Sequence, residues 1–269
     1  MAGDRVRAKK SLGQNFLVDP NLQRKIVAAV EAAPDDPVVE IGPGQGALTR
    51  HLMGVIANLT LIELDNELVF RLQPEVDAHP GTRLIHRDVL KVDLPREVPN
   101  WTETRVVGNI PYNITTPILF HLLERPRPRS IVLMVQREVA DRIVAMAGSK
   151  DYGALAVGVQ SVAKAEFLFG VPSGAFRPVP RVESAVVRIT PFDPPPLSES
   201  EEQSLRRLTR AVFQWRRKQL QKTLRDHPDL GHMPREALER IGHDLDLDLT
   251  RRPETLSPAR LVELAQALD

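Results

Sequence analysis

The stretch VVEIGPGQGALTRHLM, residues 38 to 53, joins a short apolar run to three glycines and then to a segment with helical spacing. A run of Val and Ile bounded by glycine reads as a buried strand, and the change of period beyond Gly46 reads as a helix. Gly42, Gly44 and Gly46 permit positive φ and close backbone approach, while a helix start beyond them offers free N–H donors to a polar ligand. Strand, glycine turn and helix in that order predict a nucleotide-like cofactor at the turn. The spacing is G-x-G-x-G, not the G-x-G-x-x-G of dinucleotide folds, and the Lys and Ser/Thr of a P-loop are missing. Taken alone, the motif also fits a tight turn that holds no ligand.

Outward from this stretch the same alternation repeats. LTLIEL (59 to 64), RLIH (83 to 86), RVVGN (105 to 109) and SIVLMVQ (130 to 136) read as strands, with helical segments after Asn66, Thr115 and Arg137. Strands alternating with helices predict a doubly wound, Rossmann-like parallel sheet. EFLFGVP (166 to 172) and SAVVRITP (184 to 191) flank a Pro-rich connection with no room for a crossover helix, so an antiparallel hairpin is expected to end the sheet. By fold analogy such a hairpin suits a class I methyltransferase better than a dehydrogenase. PFDPPPLSESEE (191 to 202) is the one clear linker. It divides the chain into an α/β domain, residues 1 to 192, and a small all-α domain, residues 193 to 269.

Acids at successive strand ends sharpen the cofactor reading. Glu63 is placed to accept from both hydroxyls of a ribose, the logic of the Rossmann acid. Asp88, with Val89 beside it, is placed to meet an adenine amino group. Helix capping by Asp65 or Asp88 is the alternative, and Glu40 either orients the glycine loop or touches ligand. Acids for hydroxyls and an amine, without a phosphate-binding Lys, favour an adenosyl group lacking phosphates, hence S-adenosylmethionine.

Asn109-Ile110-Pro111-Tyr112 follows the fourth strand and is the most specific signal in the chain. A neutral exocyclic amine attacking a sulfonium methyl needs orientation more than a base. The Asn109 side-chain carbonyl and the Ile110 backbone carbonyl can each accept one amine hydrogen and aim the nitrogen lone pair. Pro111 fixes the turn and Tyr112 offers a ring to the base. The alternative is a plain N-x-P turn.

The chain has no cysteine, which excludes disulfides and thiolate metal sites, including the zinc site of nucleobase deaminases. The absence of a long apolar run and the polar start MAGDRVRAKK predict a soluble, cytoplasmic protein without a membrane partner, and methyl transfer to a neutral amine needs no metal. Its formal net charge of +1 hides two basic clusters. One holds Arg5, Arg7, Lys9 and Lys10. The other runs from Arg206 to Arg225 with no acid between. As one continuing helix it would set Arg210, Arg217 and Lys218 near one face while Leu208, Val212 and Phe213 turn to the core. Such a face either is merely solvated or holds RNA phosphates.

The sequence resembles the ribosomal RNA adenine N6,N6-dimethyltransferase family, in particular its bacterial small-subunit branch. The matching stretches include SLGQNFLVD (11 to 19), VVEIGPGQGALT (38 to 49), GNIPYNITTPI (108 to 118), FRPVPRVESAVV (176 to 187), FQWRRKQLQKTL (213 to 224) and LTRRPETLSP (249 to 258). The resemblance implies dimethylation of adenine N6 in small-subunit RNA, with S-adenosylmethionine as donor and S-adenosylhomocysteine as product. It implies cofactor contacts from Gln14, Asn15, Leu17, the Gly42 to Gly46 loop, Glu63, Asp88 and Asn109, and a target adenine stacked between Tyr112 and Phe176. A loop plug in the core is the other reading of Phe176. Arg216, Arg217 and Lys218, with Arg210, become candidates for RNA contact, and a monomer is expected. Ile110 departs from the Leu common in the small-subunit branch and is familiar from macrolide-resistance enzymes that modify large-subunit RNA. Such an enzyme, or a non-catalytic RNA-binding assembly factor on the same fold, are the competing readings.

Overall fold

The computed structural model describes residues 8, 9, 12–230 and 233–268. Among the described residues nine strands run β1 (Phe16–Leu17), β2 (Pro37–Ile41), β3 (Asn58–Glu63), β4 (Thr82–His86), β5 (Arg105–Asn109), β6 (Ser130–Gln136), β7 (Ala163–Val171), β8 (Phe176–Arg177) and β9 (Ser184–Pro191). Seven of them form one sheet in the order β4-β3-β2-β5-β6-β9-β7. The pairs from β4 through β6 are parallel, and β9 runs antiparallel to β6 with Met134 opposite Val186. The α/β class and the terminal antiparallel hairpin expected from the sequence are therefore present.

The apolar runs explain why these segments become central strands. Val38, Val39 and Ile41 in β2, Val106 and Val107 in β5, and Ile131 to Val135 in β6 are all buried, as strands covered on both faces must be. Edge strand β4 is only partly covered, and its sequence TRLIH is correspondingly less apolar. Strand order reverses between β2 and β5, which opens a crevice at the carboxyl ends of these two strands. Glu40 is the exception in β2, a carboxyl 1% exposed inside an apolar strand at the lip of that crevice.

The sequence holds no readable signal for β1 and β8, because two residues show no period. They pair antiparallel, Leu17 opposite Phe176 and Phe16 opposite Arg177.

The chain divides into two compact units, residues 1–140 with 166–191, and residues 141–165 with 192–269. The single cut after residue 192 thus misses an excursion: 141–165 groups with the C-terminal helices rather than with the sheet. The physical reason is an apolar cluster in which Tyr152, Ala156 and Val157 pack with Leu205, Leu208, Val212 and Leu261. Tyr152 is fully buried, donates its hydroxyl to the Leu256 carbonyl at 2.8 Å and meets Phe213 edge-on. The helix Glu199–Gln214 starts at a capping box, in which Ser198 Oγ accepts from the Glu201 amide and Glu201 accepts from the Ser198 amide.

Candidate active site

One cavity of about 320 Å³ lies at the crevice. Of the expected cofactor contacts, Gln14, Asn15, Leu17, Gly42, Gly44, Glu63, Asp88 and Val89 line it. Asn109, Ile110, Pro111 and Tyr112 close its other side. These come from five separate stretches of sequence, yet each stretch is delivered by a strand end or by the segment Leu12–Leu17. The cavity also has apolar lining that the motifs did not single out, chiefly Ile62, Leu68 and Ile118.

The glycine loop has the backbone it needs. Gly42, Gly44 and Gly46 sit at φ +65°, +60° and +80°, a region costly for side chains with a Cβ. Gly46 itself does not line the cavity. Its amide donates to Pro43 O at 2.9 Å, and a Cβ there would stand 3.1 Å from Leu72 Cδ2, so it closes the turn.

Glu63 pins this loop. Its Oε2 accepts from the Gly44 amide at 3.1 Å, and Oε1 accepts from the Leu64 and Asp65 amides at 2.8 and 2.9 Å. Burial raises the carboxyl above its ordinary value even though the three amides pull the other way. Glu40 is raised further, to about 8, first by burial and also by the nearby Glu63 charge, against the pull of a 2.7 Å hydrogen bond from Thr49 Oγ1. Glu40 braces the helix that follows the glycine loop through Thr49 and also lines the cavity. Asp88 Oδ1 accepts from the Leu90 amide at 3.1 Å, capping a short turn while the residue faces the cavity. For Asp88 too, capping and lining are compatible.

Segment 12–17 is fastened by side chains that stand far apart in the sequence. Lys9 Nζ donates to Asp65 Oδ1 at 2.5 Å, Gln14 Nε2 donates to Asp65 Oδ2 at 2.8 Å, and Gln14 Oε1 accepts from the Lys9 amide. Burial works to raise the Asp65 carboxyl, but the bonds from Lys9 and Gln14 outweigh it and hold the group below its ordinary value. The Gln14 amide is thus spent on anchoring the segment. Of the N-terminal basic cluster, Arg5, Arg7 and Lys10 lie outside the described residues, and Lys9 serves this clamp.

Asn109 Nδ2 donates to the Asn15 carbonyl at 3.1 Å, which fixes the amide plane. Among the described residues nothing donates to Asn109 Oδ1 or to the Ile110 carbonyl. Those are the two acceptors the amine reading requires. Tyr112 Oη shares a 2.6 Å hydrogen bond with Ser184 Oγ, and burial raises the phenol above its ordinary value. Ser184, fully buried at the start of β9 and without a local signal in the sequence, positions Tyr112.

Phe176 is elsewhere. It is 0% exposed, packed in the core with Leu17, Ala175 and Val186, and it does not line the cavity. The expected stacking of a base between Tyr112 and Phe176 is not available in this conformation. Pairing of β8 with β1 draws the ring inward, as the loop-plug reading has it.

The expected basic face also needs correction. The helix ends at Gln214 and the chain turns at Trp215, so Arg217 and Lys218 do not continue the face that carries exposed Arg210. Leu208 and Val212 are buried as expected, and Phe213 is partly buried. Arg216, Arg217 and Lys218 instead line a separate depression with Trp215 and Lys222.

A mostly parallel sheet with a terminal antiparallel hairpin, a positive-φ glycine loop at the strand-order reversal and an Asn-Ile-Pro-Tyr edge define a class I methyltransferase. A family model described as ribosomal RNA adenine dimethylase matches residues 5–262, and the chain belongs to that family. Relatives that carry the name ribosomal RNA small subunit methyltransferase A include the following three. The one from Pseudomonas aeruginosa is 43% identical over 97% of this chain and 95% of its own length. Those from Geobacillus thermodenitrificans and Acinetobacter baylyi are 42% and 41% identical over 97% of this chain, covering 90% and 93% of their own lengths. Among solved structures, a 23S rRNA methyltransferase superposes with a TM-score of 0.71 at 28% identity, over 95% of this chain and all of that one. A dimethyladenosine transferase from Plasmodium falciparum gives 0.80 at 24% identity, over 93% of this chain and 95% of that one, a likeness of fold. Among the described residues, no helix is long and apolar enough to cross a membrane.

Proposed function

We propose that the chain transfers methyl groups from S-adenosylmethionine to the exocyclic N6 of adenines in small-subunit (16S) ribosomal RNA, giving N6,N6-dimethyladenosine during ribosome assembly in the cytoplasm. The observation that carries this reading is the placing of Asn109 Oδ1 and the Ile110 carbonyl, two acceptors without donors among the described residues, at the rim of a cavity whose other wall is the glycine loop. The names and identities of the Pseudomonas, Geobacillus and Acinetobacter relatives support the small subunit over the large.

The residues present fit the donor. A cavity of about 320 Å³ is at the small end of the roughly 300–1,000 Å³ typical of ligand pockets. Glu63 Oε2, with the Gly44 amide as its one donor, retains a lone pair for a ribose hydroxyl, whereas Oε1 is filled by two amides; Asp88 would accept from the adenine amino group, and Ile62, Leu68, Val89 and Ile118 supply apolar walls. S-adenosylmethionine supplies there a methyl carbon made electrophilic by its sulfonium.

The protein's own part is positioning. Asn15 holds the Asn109 amide by its nitrogen, which directs Oδ1 to one amine hydrogen while the Ile110 carbonyl takes the other. An amine held by both hydrogens leaves conjugation with its ring and presents its lone pair in a single direction, which is where orientation lowers the barrier. Pro111, at φ −58°, keeps the two acceptors in register, and Ser184 holds the Tyr112 ring for stacking on the base. A second methylation needs only one remaining hydrogen to be accepted, so the same site serves both steps.

The test is to incubate the protein with methyl-labelled S-adenosylmethionine and, separately, with each ribosomal subunit lacking adenine dimethylation. Label on N6 of small-subunit adenines, two methyls per base, is the expected result. Label confined to the large subunit would transfer the reading to the macrolide-resistance activity, and no label on either would sink it.

A further inference from the structure

Away from the cavity at the sheet, the helical unit has a depression of about 440 Å³ lined by Gln214, Trp215, Arg216, Arg217, Lys218, Lys222 and Asp226. Its electrostatics are one-sided. Asp226, the single acid, is engaged by Arg225 through bonds of 2.7 and 3.0 Å. Arg216 donates to the Lys150 carbonyl at 2.8 Å. One cation beside a helix C-terminus answers the helix dipole, but here Arg217, Lys218 and Lys222 remain exposed and have no side-chain partner among the described residues. Three unpaired cations around one hollow repel one another and have no structural use there.

The fourth wall is aromatic. The chain leaves the helix Glu199–Gln214 at Trp215, and a 2.7 Å bond from the Lys218 amide to the Trp215 carbonyl closes the turn. Trp215 is half-buried. Its ring meets that of His227 at 5.0 Å and 61°, and buried His227 shares a 2.8 Å bond with Gln214. The indole is thereby held in place before any ligand arrives. Of the two tryptophans in the chain, Trp101 is buried with Nε1 donating to Pro126 O. Trp215 is the one left at a surface.

A preset indole beside unpaired cations matches the chemistry of a single-stranded nucleotide, whose base stacks on an aromatic face and whose phosphates meet Arg and Lys. We infer that this depression is a nucleotide subsite, in which Trp215 stacks an unpaired base of the RNA while Arg217, Lys218 and Lys222 hold its flanking phosphates. The inference rests on the reading of Arg216, Arg217 and Lys218 as RNA contacts of a ribosomal RNA methyltransferase, and adds that part of the hold on RNA comes from a base rather than from charge alone.

The probes are a tetranucleotide of adenylate and a ribose-phosphate tetramer of equal length without bases. Each is titrated into the full-length protein while tryptophan emission is followed, and the emission of Trp215→Phe is subtracted. The tetraadenylate should quench Trp215 and bind more tightly than the abasic tetramer. Trp215→Ala should lower tetraadenylate affinity roughly tenfold, within the range of single base stacking on an aromatic ring, and leave the abasic affinity unchanged. Trp215→Phe should recover part of the loss, which separates stacking from damage to the fold. Equal binding of the two tetramers with unchanged Trp215 emission, or full affinity in Trp215→Ala, overturns the subsite and leaves an anion site only. Arg217→Glu with Lys218→Glu distinguishes the two readings: if it weakens both tetramers while Trp215 proves silent, only the subsite falls. If it weakens neither, the RNA-binding reading falls with it.

Discussion

The polar groups around the cavity and the cations around the depression of the helical unit are treated in opposite ways. Around the cavity each key side chain is assigned a protein partner: Glu63 three amides, Glu40 a threonine hydroxyl, Asn109 a carbonyl and Tyr112 a serine. In the helical unit, Arg217, Lys218 and Lys222 point outward with none. Chemistry needs atoms held to a fraction of an ångström, and fixed hydrogen bonds provide that. Holding a long polyanion needs only charge near its surface, and mobile Lys and Arg side chains suffice. Positioning should therefore fail steeply when one bond is removed, while charge should fail gradually.

The steepest failure is expected at Asn109. Asn109→Ala should cut single-turnover methylation at least about a hundredfold, as loss of one oriented polar group does elsewhere, with little change in melting temperature. A rate within a few fold of wild type would reduce Asn109 to Tyr112 to a turn. Next comes Glu63→Ala, which removes the ribose acceptor and the anchor of the Gly44 amide together. Calorimetry should show S-adenosylmethionine bound about 1–3 kcal/mol more weakly, the scale of charged hydrogen bonds; unchanged affinity in a folded variant contradicts the assignment.

Gradual failure is expected in the helical unit. Arg217→Glu with Lys218→Glu should weaken small-subunit binding and reduce the slope of log affinity against log salt by roughly one unit per lost phosphate contact. S-adenosylmethionine affinity should hardly move. Wild-type binding across a salt series would make the depression a solvated surface and erase the contrast.

A separate effect, on stability rather than on rate or binding, is one of pH and concerns Glu40. Its carboxyl keeps a proton up to about 8 in the folded chain but loses it near 4.5 when unfolded. Between those values the folded state binds more protons, so stability falls as pH rises, by at most about 1.4 kcal/mol per pH unit from this group. Above 8 the contribution is flat. Urea unfolding at a series of pH values should show that Glu40→Gln lacks this fall; parallel curves for variant and wild type would mean that Glu40 ionises normally.

Seven sheet strands were legible because each rests on a local rule, the apolar run of a strand, whereas the helix start at Glu199 falls inside the stretch 191 to 202 read as a linker. The site was legible in outline because strand ends carry it: Glu63 directly follows an apolar run, and Asp88 and Asn109 stand just past two others. What stayed hidden is what only tertiary pairing decides. Nothing local links Gln14 and Lys9 to Asp65, or Tyr112 to Ser184, across 51, 56 and 72 residues. Phe176 was misplaced for the same reason, since a two-residue pairing with Phe16–Leu17 turns it inward. Arg210 was grouped with Arg217 because an uninterrupted basic run conceals the helix end at Gln214.

The excursion of residues 141–165 into the helical unit also bears on how this chain can be made and exchanged. During synthesis Tyr152, Ala156 and Val157 leave the ribosome well before Leu205, Leu208 and Leu261, the side chains that cover them. At roughly 5–20 residues per second the nascent chain carries that apolar face uncovered for several seconds. The same order limits modular grafting. A chimera cut only at residue 192 separates the two halves of one core, whereas a graft that moves 141–165 together with 192–269 keeps the core whole.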